Sequence, residues 1–92
     1  MKITVCYMAQ LKQAAGVGSE QVEVGNPCSI EDLARRLADR HGDGLRKLLL
    51  GDNGTLQPTN LFFIGDAQAQ LSDQLKDGDV LTVLSPIAGG SI

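Results

Sequence analysis

The sequence predicts an α+β domain, in which one main helix covers one face of a mixed sheet of four to five strands. The segments 2–8 and 80–84 are apolar on both faces, which is typical of central strands. An amphipathic helical pattern over 30–41 lies between them. The order of elements is strand, strand, helix, strand, short strand, strand. This order favours a sheet in which the two terminal strands are parallel neighbours.

Size and charge limit the possible functions. The chain has 92 residues, enough for one domain, and a net charge of −3, whereas a nucleic-acid binder needs a basic face. No apolar run is long enough to span a bilayer, and the N-terminus begins with a strand pattern instead of a signal peptide. We therefore expect a cytoplasmic protein that binds neither nucleic acid nor membranes. Cys6 and Cys28 are expected to be free thiols.

The first half of the chain contains two strands. The first strand places Ile3, Val5 and Tyr7 on one face. Residues 9–15 fit either a short helical turn or a loop. Residues 20–24 alternate again and form the second strand, with its valines facing inward.

The main helix has clear signals at both ends. Ser29 is a good N-cap, Asp32 follows at the capping-box position, and Gly42 ends the helix. His41, the only histidine, is expected on the surface near the C-terminal end of the helix dipole. Because no second ligand lies nearby in the sequence, His41 is not predicted to bind metal.

The second half contains shorter elements. Residues 45–50 fit a short helical segment, 61–64 an apolar strand and 67–70 a brief return strand. Leu71 and Leu75 are expected to plug the core from the connection that precedes the last strand.

The last strand continues into the tail Pro86-Ile87-Ala88-Gly89-Gly90-Ser91-Ile92. Pro86 ends the strand, because it lacks a backbone donor. Gly89 and Gly90 have no Cβ, so another protein's backbone can approach them closely. From Pro86 to Gly90 an extended chain reaches about 17 Å, far enough to enter a partner's active site. A frayed terminus without function would have a similar composition.

The sheet face opposite the helix is expected to be partly open and apolar, which is typical of a docking surface. The candidate positions are Phe62 or Phe63, Leu81 or Val83, and Ile87 in the tail. One member of each pair is expected to face away from the helix. Alternatively, all of the strand positions belong to the core.

The segment Leu75-Lys76-Asp77-Gly78-Asp79, followed by the apolar strand and Pro86-Ile87-Ala88-Gly89-Gly90, resembles the C-terminal signature of the MoaD/ThiS-like sulfur carriers. Members of this family are relatives of ubiquitin with the β-grasp fold. The resemblance covers essentially the whole chain in element order and length. It implies a β-grasp domain over 1–85 and a flexible tail over 86–92.

The resemblance also implies a function. A ubiquitin-activating-like enzyme would use ATP to adenylate a terminal glycine carboxyl, mapped here to Gly90, with Gly89 giving clearance. Sulfur from a donor enzyme would then displace AMP, and the resulting thiocarboxylate would give its sulfur to an acceptor enzyme. The chain would be a carrier, not an enzyme. It would hold no metal or cofactor, since ATP belongs to the partner, and would be a monomer when free.

Ser91-Ile92 departs from the commonest family pattern, because an amide at Gly90 cannot be adenylated. Some family members carry extra residues after the glycines, and a zinc-dependent JAMM-type peptidase removes them. The resemblance to this subset predicts cleavage between Gly90 and Ser91. Three alternatives remain: the small subunit of molybdopterin synthase, a ubiquitin-like protein modifier, and a β-grasp interaction module with an inert tail.

Overall fold

The computed structural model describes residues 1–51, 54–57 and 59–85, which contain one five-stranded mixed sheet. The strands are β1 (Lys2–Tyr7), β2 (Ser19–Glu23), β3 (Leu61–Ile64), β4 (Ala67–Ala69) and β5 (Val80–Leu84). Their order across the sheet is β2-β1-β5-β3-β4. The predicted fold class is confirmed.

The two terminal strands are parallel neighbours, as predicted. Val5 lies opposite Leu81, and Tyr7 lies opposite Val83. The remaining pairs, β1–β2, β3–β5 and β3–β4, are antiparallel. Because β5 lies between β1 and β3, both of its edges are hydrogen-bonded, as its sequence pattern predicts for a central strand.

The main helix, α2, spans Ile30–His41. The Ser29 hydroxyl accepts a hydrogen bond from the Asp32 backbone N–H at 3.1 Å, and the Asp32 carboxylate accepts one from the Ser29 N–H at 3.4 Å. The predicted capping box is therefore complete. At the other end, the chain leaves the helix at Gly42, whose φ of 83° favours glycine.

Two shorter helices complete the layer. Residues 9–15, which the sequence allowed to be either a helical turn or a loop, contain the helix α1 (Gln10–Ala15). The helix α3 (Asp43–Leu49) follows α2 directly. An ion pair between Arg46 Nη1 and Asp39 Oδ1, at 2.7 Å, joins α3 to α2. Besides the main helix, the helical layer therefore contains α3, which confirms the short helical segment predicted over 45–50, and α1.

The core lies between the helices and the sheet, and it is aliphatic apart from two aromatic rings. Leu75 is 4% exposed, and its N–H donates to the Cys28 carbonyl at 2.9 Å, so it plugs the core as predicted. Leu71 is half-buried and packs against the edge of the core. The largest fully buried side chains are Ile3, Leu11, Ile30, Leu33, Leu37, Leu45, Leu49, Leu81, Val5 and Val83.

Candidate functional site

The candidate site begins where β5 ends. Leu84 is the last residue of the strand, and Ser85 follows it with only 6% of its surface exposed. The predicted tail over 86–92, with Ile87, Gly89, Gly90 and the Gly90–Ser91 cleavage position, lies outside the described residues. Ser85 is therefore the root from which this tail continues.

Both neighbouring strands hold the tail root. The Met8 N–H, just after β1, donates to the Val83 carbonyl at 3.2 Å. On the other side, Leu61 in β3 pairs with Leu84. From α1, Gln10 Nε2 donates to Ser85 Oγ at 3.5 Å. A partner would thus meet the tail at a fixed position in the middle of the sheet.

An apolar surface lies beside the tail root, on the sheet face opposite the helices. We call it the open face and define it by Met8, Leu61, Phe63, Val80 and Leu84. Met8 and Val80 are 47% and 43% exposed, and the other three are partly exposed. Leu61 and Leu84 pair next to the tail root, Phe63 pairs with Thr82 in the middle of β5, and Val80 lies at the start of the strand. An exposed apolar patch of this kind is suited to docking a protein partner.

The structure corrects the predicted docking positions. Phe62 is 4% exposed, and Leu81 and Val83 are 0% exposed, so all three belong to the core. The expectation that one of Leu81 and Val83 faces outward is wrong, because residues two apart in a strand share a face. Among these four strand positions, Phe63 is the one that lies on the open face.

The sequence interpretation missed four of the five residues of the open face. Met8, Val80 and Leu84 share the outward parity of their strands with Thr4 or Thr82, and Leu61 shares that of Phe63. The sequence could have identified these positions, because outward residues alternate with core residues along each strand. The cross-strand register, which joins these positions into one patch, is not visible in the sequence.

A cluster of polar side chains lies on the helix side of the sheet. Glu20 of β2 accepts a hydrogen bond from the Tyr7 hydroxyl at 2.5 Å, and Arg40 Nε donates to its other oxygen at 3.1 Å. His41 Nε2 also contacts the Glu20 carboxylate, and its ring packs edge-on against Tyr7. The expectation that His41 is a surface residue is therefore wrong, since its side chain is 15% exposed.

The cluster shifts two pKa values. Burial of Glu20 acts to raise the pKa of its carboxyl, but the hydrogen bonds from Tyr7 and His41 and the charges of His41 and Arg40 outweigh it and lower that pKa. Burial, together with the neighbouring Glu20 carboxylate, raises the pKa of Tyr7 far above its ordinary value. Glu20 is thus an anion at neutral pH and Tyr7 is a permanent donor to it. This arrangement fastens α2 to the sheet.

The remaining candidates for chemistry do not converge. No group of three or more His, Cys, Asp or Glu side chains arranged to hold a metal ion occurs within residues 1–51, 54–57 and 59–85. Cys6 and Cys28 are both free thiols. Burial, followed by the neighbouring Asp32 carboxylate, raises the pKa of Cys28, so its place before the helix does not produce a thiolate.

Comparison with known proteins identifies the family. Residues 5–90 match the ThiS family. The chain belongs to the ThiS family. The match begins within β1 and ends at Gly90, so it includes the second half of β1, the other four strands and the glycine pair.

Individual members of known function and structure cover almost the whole chain. The molybdopterin synthase sulfur carrier subunit of Chlamydomonas reinhardtii is 29% identical over 94 residues, covering 98% of this chain and all of that protein. The structure of a putative molybdopterin converting factor, subunit 1, from Pyrococcus furiosus is 27% identical, with a TM-score of 0.77, covering 95% of this chain and 99% of that one.

The ubiquitin-like β-grasp fold is shown by the same kind of comparison. The crystal structure of SAMP1 from Haloferax volcanii superimposes with a TM-score of 0.87 at 24% identity, covering 98% of this chain and all of that one. The resemblance on which the β-grasp expectation depended is thereby confirmed. In the described ranges, no helix has both the length and the apolar character needed to cross a membrane.

Proposed function

We propose that this chain is a sulfur carrier protein whose reactive group is the carboxyl of Gly90. The observation that carries the proposal is the family match, which runs from β1 to Gly90 and stops two residues before Ile92. The name of the algal relative, a sulfur carrier subunit, supports the same role.

The chemistry follows from the weakness of a carboxylate as an acyl donor. In the proposed first step, a Gly90 carboxylate oxygen attacks the α-phosphorus of ATP on a partner enzyme, forming an acyl-adenylate and releasing pyrophosphate. The terminal sulfur of a persulfide then attacks the acyl carbon and expels AMP. A thiol cleaves the resulting acyl disulfide, and the products are a Gly90 thiocarboxylate and a disulfide.

This chain supplies position and recognition to these steps, and the partner enzymes supply the catalysis. The strand β5 delivers the tail from the centre of the sheet, and the open face offers an apolar surface beside it. We propose that the adenylating enzyme docks on the open face, through Phe63 and Val80, while the tail enters its active site. Neither ATP nor a metal is then held by the carrier itself.

Ser91-Ile92 must leave before activation, because the carbonyl of Gly90 is otherwise part of an amide. We propose that a peptidase of the JAMM zinc type hydrolyses the Gly90–Ser91 bond. Water adds to the Gly90 carbonyl, and Ser91-Ile92 departs as a free dipeptide. The unprocessed chain is then an inactive precursor.

Intact-mass measurement tests the proposal. Full-length chain and a chain ending at Gly90 are each incubated with an adenylating enzyme of the family, ATP and a persulfide source. We expect the chain ending at Gly90 to gain the mass difference between sulfur and oxygen, and the full-length chain to remain unchanged. A chain ending at Gly89 is the matched control for the position of the carboxyl.

The two arms of the test separate the claims. If the chain ending at Gly90 gains no sulfur, the carrier function is contradicted. If the full-length chain gains sulfur without cleavage, the precursor role of Ser91-Ile92 is contradicted and the carrier function stands. Adducts of higher mass on lysines of other proteins, formed in a cell extract with ATP, would instead indicate a protein modifier.

A second candidate function is the small subunit of molybdopterin synthase, which the names of two relatives favour. Complex formation distinguishes this function from the first: the chain ending at Gly90 should form a stable complex with a large synthase subunit. Such a complex should convert the pterin precursor when the thiocarboxylate is present. A carrier for another pathway would show thiocarboxylate formation without that complex.

A further inference from the structure

The two buried polar residues of the described chain lie together at the tail root. Asn60 is 7% exposed and Ser85 is 6% exposed, and in residues 1–51, 54–57 and 59–85 no other polar or charged residue is buried to this degree apart from Tyr7, whose ring belongs to the core. Burying a polar side chain is costly unless it is hydrogen-bonded. The position of both residues at the point where the tail begins therefore needs an explanation.

The two residues stand at the end of one strand pair. Leu61 and Leu84 form the last pair of the antiparallel β3–β5 ladder at this end, and Asn60 and Ser85 are the next residue on either side. Both continue the core-facing parity, since Phe62 and Val83 are buried. If the ladder is extended by one pair, the Cβ atoms of Asn60 and Ser85 come to about 4.5–5.5 Å, close enough for the two side chains to bond.

The hydrogen-bonding capacity of the two groups is complementary. Asn60 Nδ2 donates to the Leu48 carbonyl of α3 at 3.0 Å, which fixes the orientation of the amide. Asn60 Oδ1 is then a buried acceptor, and it has no hydrogen-bond partner. Ser85 Oγ accepts from Gln10 Nε2, and its own hydroxyl hydrogen remains available as a donor.

We propose that Ser85 and Asn60 are positioning residues for the tail: in solution the β3–β5 ladder extends by one pair, and the Ser85 hydroxyl donates to Asn60 Oδ1. The bond closes a relay from Gln10 to Ser85, from Ser85 to Asn60, and from Asn60 to the Leu48 carbonyl. This relay ties α1, β5, β3 and α3 together at the tail root. It rests on the proposed function, because it concerns delivery of the Gly90 carboxyl.

The effect of the relay is on direction, not on docking. The open face lies on the other side of the sheet, so loss of the Ser85–Asn60 bond leaves the partner's apolar contacts intact. What changes is how firmly the end of β5, from which the tail continues, is held in one position. A misdirected carboxyl reaches the partner's ATP less often, and this loss falls on kcat, not on KM.

Nuclear magnetic resonance on the full-length chain tests the bond itself. The measurement is the 13Cγ chemical shift of Asn60, which responds to hydrogen bonding at Oδ1. We expect Ser85→Ala to shift this signal, while Ser85→Thr, which keeps a hydroxyl, restores it. Ser72→Ala makes the same chemical change at an exposed site and should leave the signal unchanged.

Two results would overturn the relay. An Asn60 signal that does not respond to Ser85→Ala means that a buried water, or nothing, occupies Oδ1. An equal response to Ser72→Ala means that the shift does not report this contact. Slow exchange of the Ser85 hydroxyl hydrogen with solvent in the unsubstituted chain gives an independent confirmation, which holds even if a variant folds poorly.

A kinetic measurement then tests the positioning role. With the chain ending at Gly90, Ser85→Ala should lower kcat for thiocarboxylate formation about two- to tenfold, the equivalent of one hydrogen bond, at unchanged KM. Ser85→Thr and Ser72→Ala should match the unsubstituted chain. If Ser85→Ala leaves kcat unchanged but shifts the Asn60 signal, the positioning role is contradicted and the Ser85–Asn60 bond stands. If no chain forms a thiocarboxylate, the proposed function fails, and the Asn60 signal still decides the relay.

Discussion

At the scale of single residues, the Glu20 carboxylate is the most connected polar group in the described structure. It bonds to side chains from β1 and from the end of α2, namely Tyr7, Arg40 and His41. Its side chain is 13% exposed, so these bonds are poorly screened by solvent. We infer that Glu20 is a stabilising residue, since it lies on the helix side of the sheet, away from the open face.

Glu20→Gln tests this role and its pH dependence. We expect a loss of about 1–3 kcal/mol in the free energy of unfolding at pH 7, because hydrogen bonds to a charged group are stronger than neutral ones. The folded-state pKa of Glu20 lies below the ordinary 4.5, so its contribution is complete above pH 4.5. It disappears as the pH falls through the lowered value, because the carboxyl is then protonated in both states.

The measurement is urea unfolding of both proteins from neutral pH down to the acid limit of folding. The gap between them should close on the acid side. Glu23→Gln, an exposed carboxylate on the same strand, is the matched control and should leave the free energy of unfolding nearly unchanged. A constant gap across this range would contradict the assignment.

At the scale of elements, α2 depends on its first turn. The capping box satisfies two backbone N–H groups that would otherwise have no partner inside the helix. The same turn also meets the chain before β5, since the Ile30 N–H donates to the Asp73 carbonyl at 3.0 Å. The cap therefore fixes both the start of the helix and its contact with the connection that carries Leu75.

Ser29→Ala should lower the free energy of unfolding by about 0.5–2 kcal/mol, because the Asp32 N–H loses its acceptor. Ser29→Asp restores a side-chain acceptor and should recover most of the loss. Thermal and urea unfolding of the three proteins measure the difference. If Ser29→Asp is as unstable as Ser29→Ala, the hydrogen bond is not the cause.

The sequence predicts elements better than it predicts contacts between them. Apolar patterning identifies the strands and their central position, and Ser29 with Asp32 marks the helix start within one residue. These signals are local, so they can be recognised without knowing how the elements pack together. The contact between Glu20 and His41 joins residues 21 apart, and it depends on where the end of α2 lies over β2. No local pattern determines that position.

The error at Leu81 and Val83 has a related cause. Parity within a strand is local and could have shown that the two residues share one face, so that both or neither point outward. Deciding which parity faces the helices requires the neighbouring strand, since the β5 sequence is apolar on both faces. The pairing of Val5 with Leu81 and of Tyr7 with Val83 resolves it. The tail glycines remain a sequence prediction, because they lie outside the described residues.

At the scale of the whole molecule, the two faces of the sheet have separate roles. The helices and the Glu20 cluster stabilise one face, while the open face is left apolar next to the tail root. This separation allows a surface substitution to affect partner binding without affecting folding. Val80 is suited to such a test, because it is 43% exposed at the start of β5.

Val80→Asp should weaken docking of the adenylating enzyme that we propose as the partner. A carboxylate placed in an apolar interface must lose its hydration without gaining a partner, so we expect KM for the carrier to rise about tenfold or more.

The free energy of unfolding of Val80→Asp should change little, since the position is exposed. Ser72→Asp is the matched control, because Ser72 is exposed in the connection whose backbone bonds the first turn of α2, on the helix side of the sheet. Steady-state thiocarboxylate formation and urea unfolding measure the two quantities. Equal KM values for the two variants would show that the partner does not use the open face.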